Sequence, residues 1–151
     1  MIKLFTIVAK GRGAIRNSFS AVDNGTIGEY ICALRLLKLG VSCRVVNMGA
    51  TDILAEFDGK IYRIQVKASQ LKLHKRDFGY QFMVSKGGKK EPFTVSECDI
   101  IACVTIDTEQ VWFFPIQKLC RQVSKRIHPK RFDDDTTERT WKDTIAYLET
   151  L

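Results

Sequence analysis

The amino-acid sequence predicts an α/β or α+β layer arrangement, in which helices pack on a central sheet. Three observations point there. NGTIGEYICALRLLKLG, residues 24–40, spaces Ile27, Ile31, Leu34 and the Leu36/Leu37 pair as one helix face and stops at Gly40. TDILAEFDGKIYRIQVKAS, residues 51–69, sets two alternating runs around an Asp-Gly pair, a strong short-range signal for a hairpin. DIIACVTI and QVWFFPI then read as a second strand pair. Helix and sheet must each bury an apolar face, and stacking them in layers does so.

Taken in chain order, the helix at 24–40 is followed by VSCRVVN, a short β-rich run, and then by the hairpin arms. A basic region comes next, QLKLHKRDFGYQFMVSKGGKKEPF, within which YQFMV alternates so that Tyr80, Phe82 and Val84 form a buried strand face. Its SKGGKK portion reads as a flexible loop. After Pro115, Ile116, Leu119, Cys120 and Val123 recur at helical spacing, and DDDTTERTWKDTIAYLETL opens with Asp caps before Trp141, Ile145 and Leu148. These two stretches predict C-terminal helices over 116–150. With 151 residues, 45% of them hydrophobic, and no repeat or linker, the expectation is a single domain spanning 1–151.

Composition narrows the function classes. Lys and Arg number 24 against 17 acidic residues, a formal charge of +7, which favours a polyanionic partner such as nucleic acid. The five cysteines form no C-x-x-C pair and sit among apolar neighbours, so buried thiols in a reducing, cytoplasmic setting are expected. No apolar run approaches the roughly 20 residues that span a bilayer, and the start MIKLFTIVAKGRG lacks a signal-peptide pattern. Neither membrane insertion nor secretion is expected.

The hairpin register carries the functional reading. A two-residue turn at Asp58-Gly59 sets Phe57 against Lys60 and, counting back, Asp52 against Gln65. Period-two alternation then gathers Asp52, Leu54, Glu56, Ile61, Arg63, Gln65 and Lys67 on one face. Ile53, Ala55, Phe57, Tyr62, Ile64 and Val66 take the other. A carboxylate, an amide oxygen and an ammonium on neighbouring strands suit Mg²⁺ chemistry: hard oxygens bind the ion, and a lysine stabilises developing charge or orients water. Asp58 is used by the turn and Glu56 lies near the hairpin's far end, so neither belongs to this set. His74 and His128 lack a partner at metal-ligand spacing.

The series of a helix with G-x-x-G-E (Gly25, Gly28, Glu29), then Asp52, then Gln65-Val66-Lys67 resembles the PD-(D/E)XK nuclease superfamily. Within it the pattern is most similar to the group I intron-associated homing endonucleases, through IQVKAS and the segment from Asp99 to Ile116. The resemblance covers roughly residues 24–117. It departs from the signature in two places: Thr51 stands where a proline would precede the acid, and Gln65 replaces the second acid. What it implies is a restriction-endonuclease-like core with a mixed sheet flanked by helices. It further implies a metal site of Asp52, Gln65, Glu29 and the Val66 carbonyl holding Mg²⁺, with Mn²⁺ as an alternative, and Lys67 serving the nucleophilic water.

Competing readings exist for these residues. Thr26 and Glu29 fit a T-x-x-E capping box, which would make Glu29 a helix-start residue. Asp52 also fits the simpler role of opening a strand beside a turn. For substrate, Lys72, Lys75, Arg76, Lys86, Lys89 and Lys90 form a candidate phosphate track along the basic region. A second cluster, Lys118, Arg121, Lys125, Arg126, Lys130 and Arg131, ranks lower because the predicted helix after Pro115 would make it a solvated face. The expected function is a Mg²⁺-dependent endonuclease on double-stranded DNA. The alternatives are a Holliday-junction resolvase acting on branched DNA, or a DNA-binding module of the same fold without cleavage. A long recognition site would call for a homodimer or homotetramer.

Overall fold

The structure, a computed structural model, describes residues 20–151 apart from 77, 88, 89 and 120. Helix α1, Ala21–Lys38, begins earlier than the apolar spacing suggests because Ser20 caps it. The Ser20 hydroxyl accepts the Asp23 amide proton at 3.1 Å, and the Asp23 carboxylate accepts in return from the Ser20 amide at 3.2 Å. This reciprocal box satisfies end groups that the helix itself cannot. Thr26 is thus inside the helix, its hydroxyl donating to the Val22 carbonyl at 3.2 Å. Glu29 lies well past the first turn, so the expected Thr26/Glu29 capping box does not form.

Strands β1 (Ser42–Met48), β2 (Thr51–Phe57) and β3 (Lys60–Ser69) make an antiparallel meander. The β2–β3 turn has φ of 50° at Asp58 and 75° at Gly59, both left-handed, as a primed two-residue turn requires. Phe57 pairs with Lys60 and Ile53 with Ile64, the predicted register. Small strands β4 (Tyr80–Met83), β5 (Ser85–Lys86) and β6 (Glu91–Pro92) follow, then β7 (Ile100–Thr105) and β8 (Gln110–Pro115). The main sheet has five strands in the order β1-β2-β3-β7-β8, with β3 and β7 parallel and the other neighbours antiparallel. A parallel pair needs a long crossover, and here the segment carrying β4 to β6 supplies it.

That crossover covers one face of the sheet, and the helices cover the other. Ile53, Ala55, Ile64, Val66, Ala102, Val104 and Phe113 pack against Ile31, Cys32 and Leu36 of α1 and against Trp141 and Ile145 farther along. On the opposite face Ile101 and Cys103 pack with Tyr80, Phe82, Val84, Phe93 and Ile127. Strand β7 is buried along its whole length. This is why DIIACVTI reads as a continuous apolar run rather than an alternating one.

After Pro115 the predicted helix does not form. Ile116–Leu119 make only a 3-10 turn, Arg121 enters the left-handed region at φ 66°, and strand β9, Ser124–Ile127, follows. Pairing with β4 overrides the helical spacing: β9 lies antiparallel to it, and Ile127 joins Phe82 in the second core. The chain ends in α2, Thr136–Glu149, which seals the outer edge of β8. The Val111 amide donates to the Thr137 hydroxyl at 3.0 Å and the Phe113 amide to Thr140 at 3.1 Å, while the Thr144 hydroxyl donates to the Phe113 carbonyl at 3.0 Å. Three threonines on one helix face thus satisfy main-chain groups that an edge strand leaves unpaired.

Candidate active site

The site forms where β2 and β3 part. Ladder pairing between them closes at Ile53 and Ile64. One residue further, the Asp52 side chain takes the place of the missing main-chain acceptor, with Oδ2 receiving the Val66 amide proton at 2.8 Å. Side-chain alternation places Gln65 and Lys67 on the face that Asp52 shares, and all three are half-buried.

Glu29 approaches from α1. The helix can come close because of Gly28, where a Cβ would lie 2.7 Å from the Ala68 Cβ on β3. A third contributor does not stand out in the sequence. Between Val45 and Met48 the β1 register shifts, and within that bulge Asn47 adopts a left-handed φ of 49°. Bulges re-aim side chains, and asparagine tolerates this conformation better than most residues. With its amide turned to suit its acceptors, the Asn47 nitrogen donates to Glu29 Oε1 at 3.0 Å and to Asp52 Oδ1 at 3.3 Å. One amide therefore bridges the helix acid and the strand acid. A polar residue close to Gly49 in VVNMG is the only hint of it in the sequence.

The electrostatics are those of a crowded, partly dry acidic pair. Burial raises the Asp52 carboxyl above the usual range, against the opposing effects of the Val66 N–H and Lys67. Burial also raises Glu29; the Asn47 hydrogen bond pulls it back and repulsion from Asp52 adds to the rise. Lys67 is pushed down by burial, while Asp52 favours its charged form. Its ammonium donates to the Ser85 carbonyl at 3.4 Å and sits 4.9 Å from the centre of the Phe93 ring, so the β5–β6 hairpin flanks it. The Gln65 amide nitrogen lies 3.5 Å from the Val66 carbonyl oxygen, which sets amide and carbonyl side by side.

Other polar residues on this face are structural. The Arg63 guanidinium meets Asp99 at 3.0 and 3.1 Å and donates to the Ser96 and Val95 carbonyls, tying β3 to the entry of β7. Among the described residues no group of three His, Cys, Asp or Glu side chains comes together as a metal cluster. Cys32, Cys98 and Cys103 are buried in the two cores, and burial pushes the Cys98 thiol up to about 12. His128 instead accepts the Lys130 amide proton and caps a 3-10 turn.

The basic residues divide. Lys75, Arg76 and Lys90 are exposed. Lys86 is engaged with Glu97 at 2.6 Å, and Lys72 donates to Gln81 at 3.1 Å. Lys89 lies outside the described residues. In the second cluster, Lys125 and Arg126 belong to β9 and Arg131 to a 3-10 turn, not to a helix face. Lys125 sits over Phe114 and Arg131 over Trp112.

The sequence profile of the PD-(D/E)XK endonucleases matches residues 20–144. The chain belongs to the PD-(D/E)XK endonuclease family. Its members are nucleases, and the matched span takes in α1, the whole five-stranded sheet and most of α2. By fold the chain is similar to a bacterial homing endonuclease, I-Ssp6803I, with a TM-score of 0.62 over 89% of this chain and 100% of that one. Sequence identity to it is 16%, so that likeness is one of fold. No curated protein matches by sequence. Both levels of the expected resemblance are met: the family by sequence profile and the homing-endonuclease fold by structure. Among the described residues no helix is long and apolar enough to cross a membrane.

Proposed function

We propose that this PD-(D/E)XK endonuclease hydrolyses phosphodiester bonds in double-stranded DNA and depends on Mg²⁺, with Mn²⁺ as an alternative ion. The observation that carries the reading is the Asn47 bridge: two half-dry carboxylates from different elements converge on one amide beside Val66, Gln65 and Lys67. The donor set fits a hard dication, since every available atom is oxygen. Asp52 Oδ1, Glu29, the Gln65 amide oxygen and the Val66 carbonyl would hold it, and the shortage of acids is met by neutral oxygens. When bound, the ion polarises the scissile phosphate and offsets the charge that develops on it.

The protein's own groups then divide the work. Asp52 would hold a bound ion close to β3, because its other oxygen is anchored on the Val66 amide. Lys67, held by the Ser85 carbonyl and the Phe93 ring, presents an ammonium that orients the attacking water and stabilises negative charge. Lys75, Arg76 and Lys90 supply phosphate contacts, and assembly as a homodimer or homotetramer would extend the recognised site.

Incubating the protein with linear duplex and with four-way junctions, in Mg²⁺, in Mn²⁺ and in chelator, tests the proposal. Cleavage of linear duplex only when metal is present is the expected result. Cutting confined to junctions would make the chain a resolvase, and binding without cutting in any divalent metal would make it a silent DNA-binding module.

A further inference from the structure

We propose that Asn47 belongs to the metal site and that its amide turns over, nitrogen toward the two carboxylates without the cation and oxygen toward the cation when it is bound. The inference rests on the metal-dependent reading above and adds a residue to it. A cation shared by Glu29 and Asp52 must lie near Glu29 Oε1 and Asp52 Oδ1, the two atoms that the Asn47 nitrogen now approaches at 3.0 and 3.3 Å. An N–H aimed at that space offers no lone pair and is repelled by a cation lying there. Rotating the terminal torsion of asparagine by half a turn exchanges its oxygen and nitrogen almost in place, and that torsion is broad and nearly two-fold. The same side chain, without main-chain movement, then offers an oxygen where it had offered a donor.

Charge and backbone both favour this arrangement. Gln65 leaves the site with two carboxylates, each raised by burial, so a further neutral oxygen completes the set without adding repulsion. Without the ion, the amide N–H groups lessen the repulsion between the same two acids. The left-handed φ of 49° at Asn47 and the register shift between Val45 and Met48 are the local features that turn this residue toward them. Left-handed backbone at a residue other than glycine is uncommon and is kept where the surroundings require it.

Asn47→Gly tests the idea, since glycine accepts that φ freely. Calorimetric titration of Mn²⁺ into the protein alone, without DNA, should show affinity weakened roughly tenfold or more. Unchanged affinity would overturn the proposal. So would tighter binding, which marks an amide that only competes with the ion. Asp52→Asn in the same titration separates this proposal from the reading beneath it: if it binds Mn²⁺ as the parent does, the metal site itself is wrong and Asn47 falls with it. A ¹³C NMR titration of the parent protein with Mg²⁺ needs no folded variant to read. The Asn47 Cγ resonance should move together with that of Asp52, and a stationary Asn47 beside a moving Asp52 would overturn the assignment.

Discussion

The Asp52 carboxylate receives the Val66 amide proton across 2.8 Å, so a side chain of β2 continues the ladder where its main chain has left β3. One oxygen of Asp52 is used by the fold, and the other faces Asn47 and the proposed ion. Structure and chemistry are therefore divided between two atoms of one residue.

Asp52→Asn exploits that division. An asparagine oxygen can still accept from Val66, and removal of a half-dry charge costs the fold nothing, so the variant should melt no lower than the parent. Cleavage should fall on the order of 100-fold as the anionic ligand is lost. Asp52→Ala should lose activity and also about 1–3 kcal/mol of stability, because the Val66 amide is left without its acceptor. Parent-like cleavage by Asp52→Asn would remove this residue from the mechanism.

The raised carboxyls give a pH dependence of definite sign. Burial raises Asp52 and Glu29, so each binds its proton more tightly in the folded state than in the unfolded chain. Folding stability is then lost as pH rises from the ordinary carboxylate range through the folded values, and the deficit persists at neutral pH. A dication bound by the charged forms offsets it. Mg²⁺ should therefore raise the melting temperature at pH 7, with an increment that shrinks as acid protonates the ligands. Melting curves across pH with and without Mg²⁺ check this, and an increment constant into acid would contradict it.

The threonine seal on β8 makes a separate claim about the fold. Thr140 is buried and its hydroxyl accepts the Phe113 amide proton at 3.1 Å. Thr140→Val keeps the shape but leaves that amide unsatisfied, and should cost about 1–3 kcal/mol. Chemical denaturation measures it. Thr140→Ser, which retains the hydroxyl, should lose less, and equal losses for the two would show that packing alone matters there.

What is legible in the residues depends on the range of the interaction. The β2–β3 hairpin can be registered from Asp58-Gly59 because its turn and alternation are local, and Asp52, Gln65 and Lys67 come with it. The cap of α1 is misplaced by sequence because Thr26-x-x-Glu29 mimics the box that Ser20 and Asp23 form nearer the chain start. The stretch after Pro115 misleads for another reason: Ile116 and Leu119 are both buried by a 3-10 turn, and Ile127 is buried by pairing with a strand distant in sequence. Asn47 is invisible there because its role depends on a bulge and on two acids from other elements.

For the phosphate track, the structure separates residues that composition treats alike. Neutralising Lys75, Arg76 and Lys90 together should weaken DNA binding regardless of sequence. It should also lower the salt slope by up to roughly 0.9 for each phosphate that is no longer neutralised. Lys86→Ala should do less, since Glu97 already opposes that charge at 2.6 Å. Glu97→Gln, which releases Lys86, should steepen the slope. Binding measured over a range of salt decides among these, and an unchanged slope in the triple variant would move the track to the Lys125 and Arg131 side.

Gln65 provides the sharpest comparison, because it stands where the family signature has an acid. Its amide lies beside the Val66 carbonyl and on the face shared with Asp52 and Lys67. Gln65→Glu would place a third carboxylate in a site whose two acids already repel, so the metal-free protein should melt lower than the parent. The added charge should tighten divalent-metal binding and leave measurable nuclease activity. Gln65→Leu has similar volume but no oxygen, and should fold while losing cleavage at the same Mg²⁺ concentration. Metal titrations and cleavage rates for the three proteins separate the effects. If Gln65→Leu cuts as well as the parent, Gln65 is no ligand, and Asp52, Glu29, the Val66 carbonyl, water and the proposed Asn47 oxygen must complete the site.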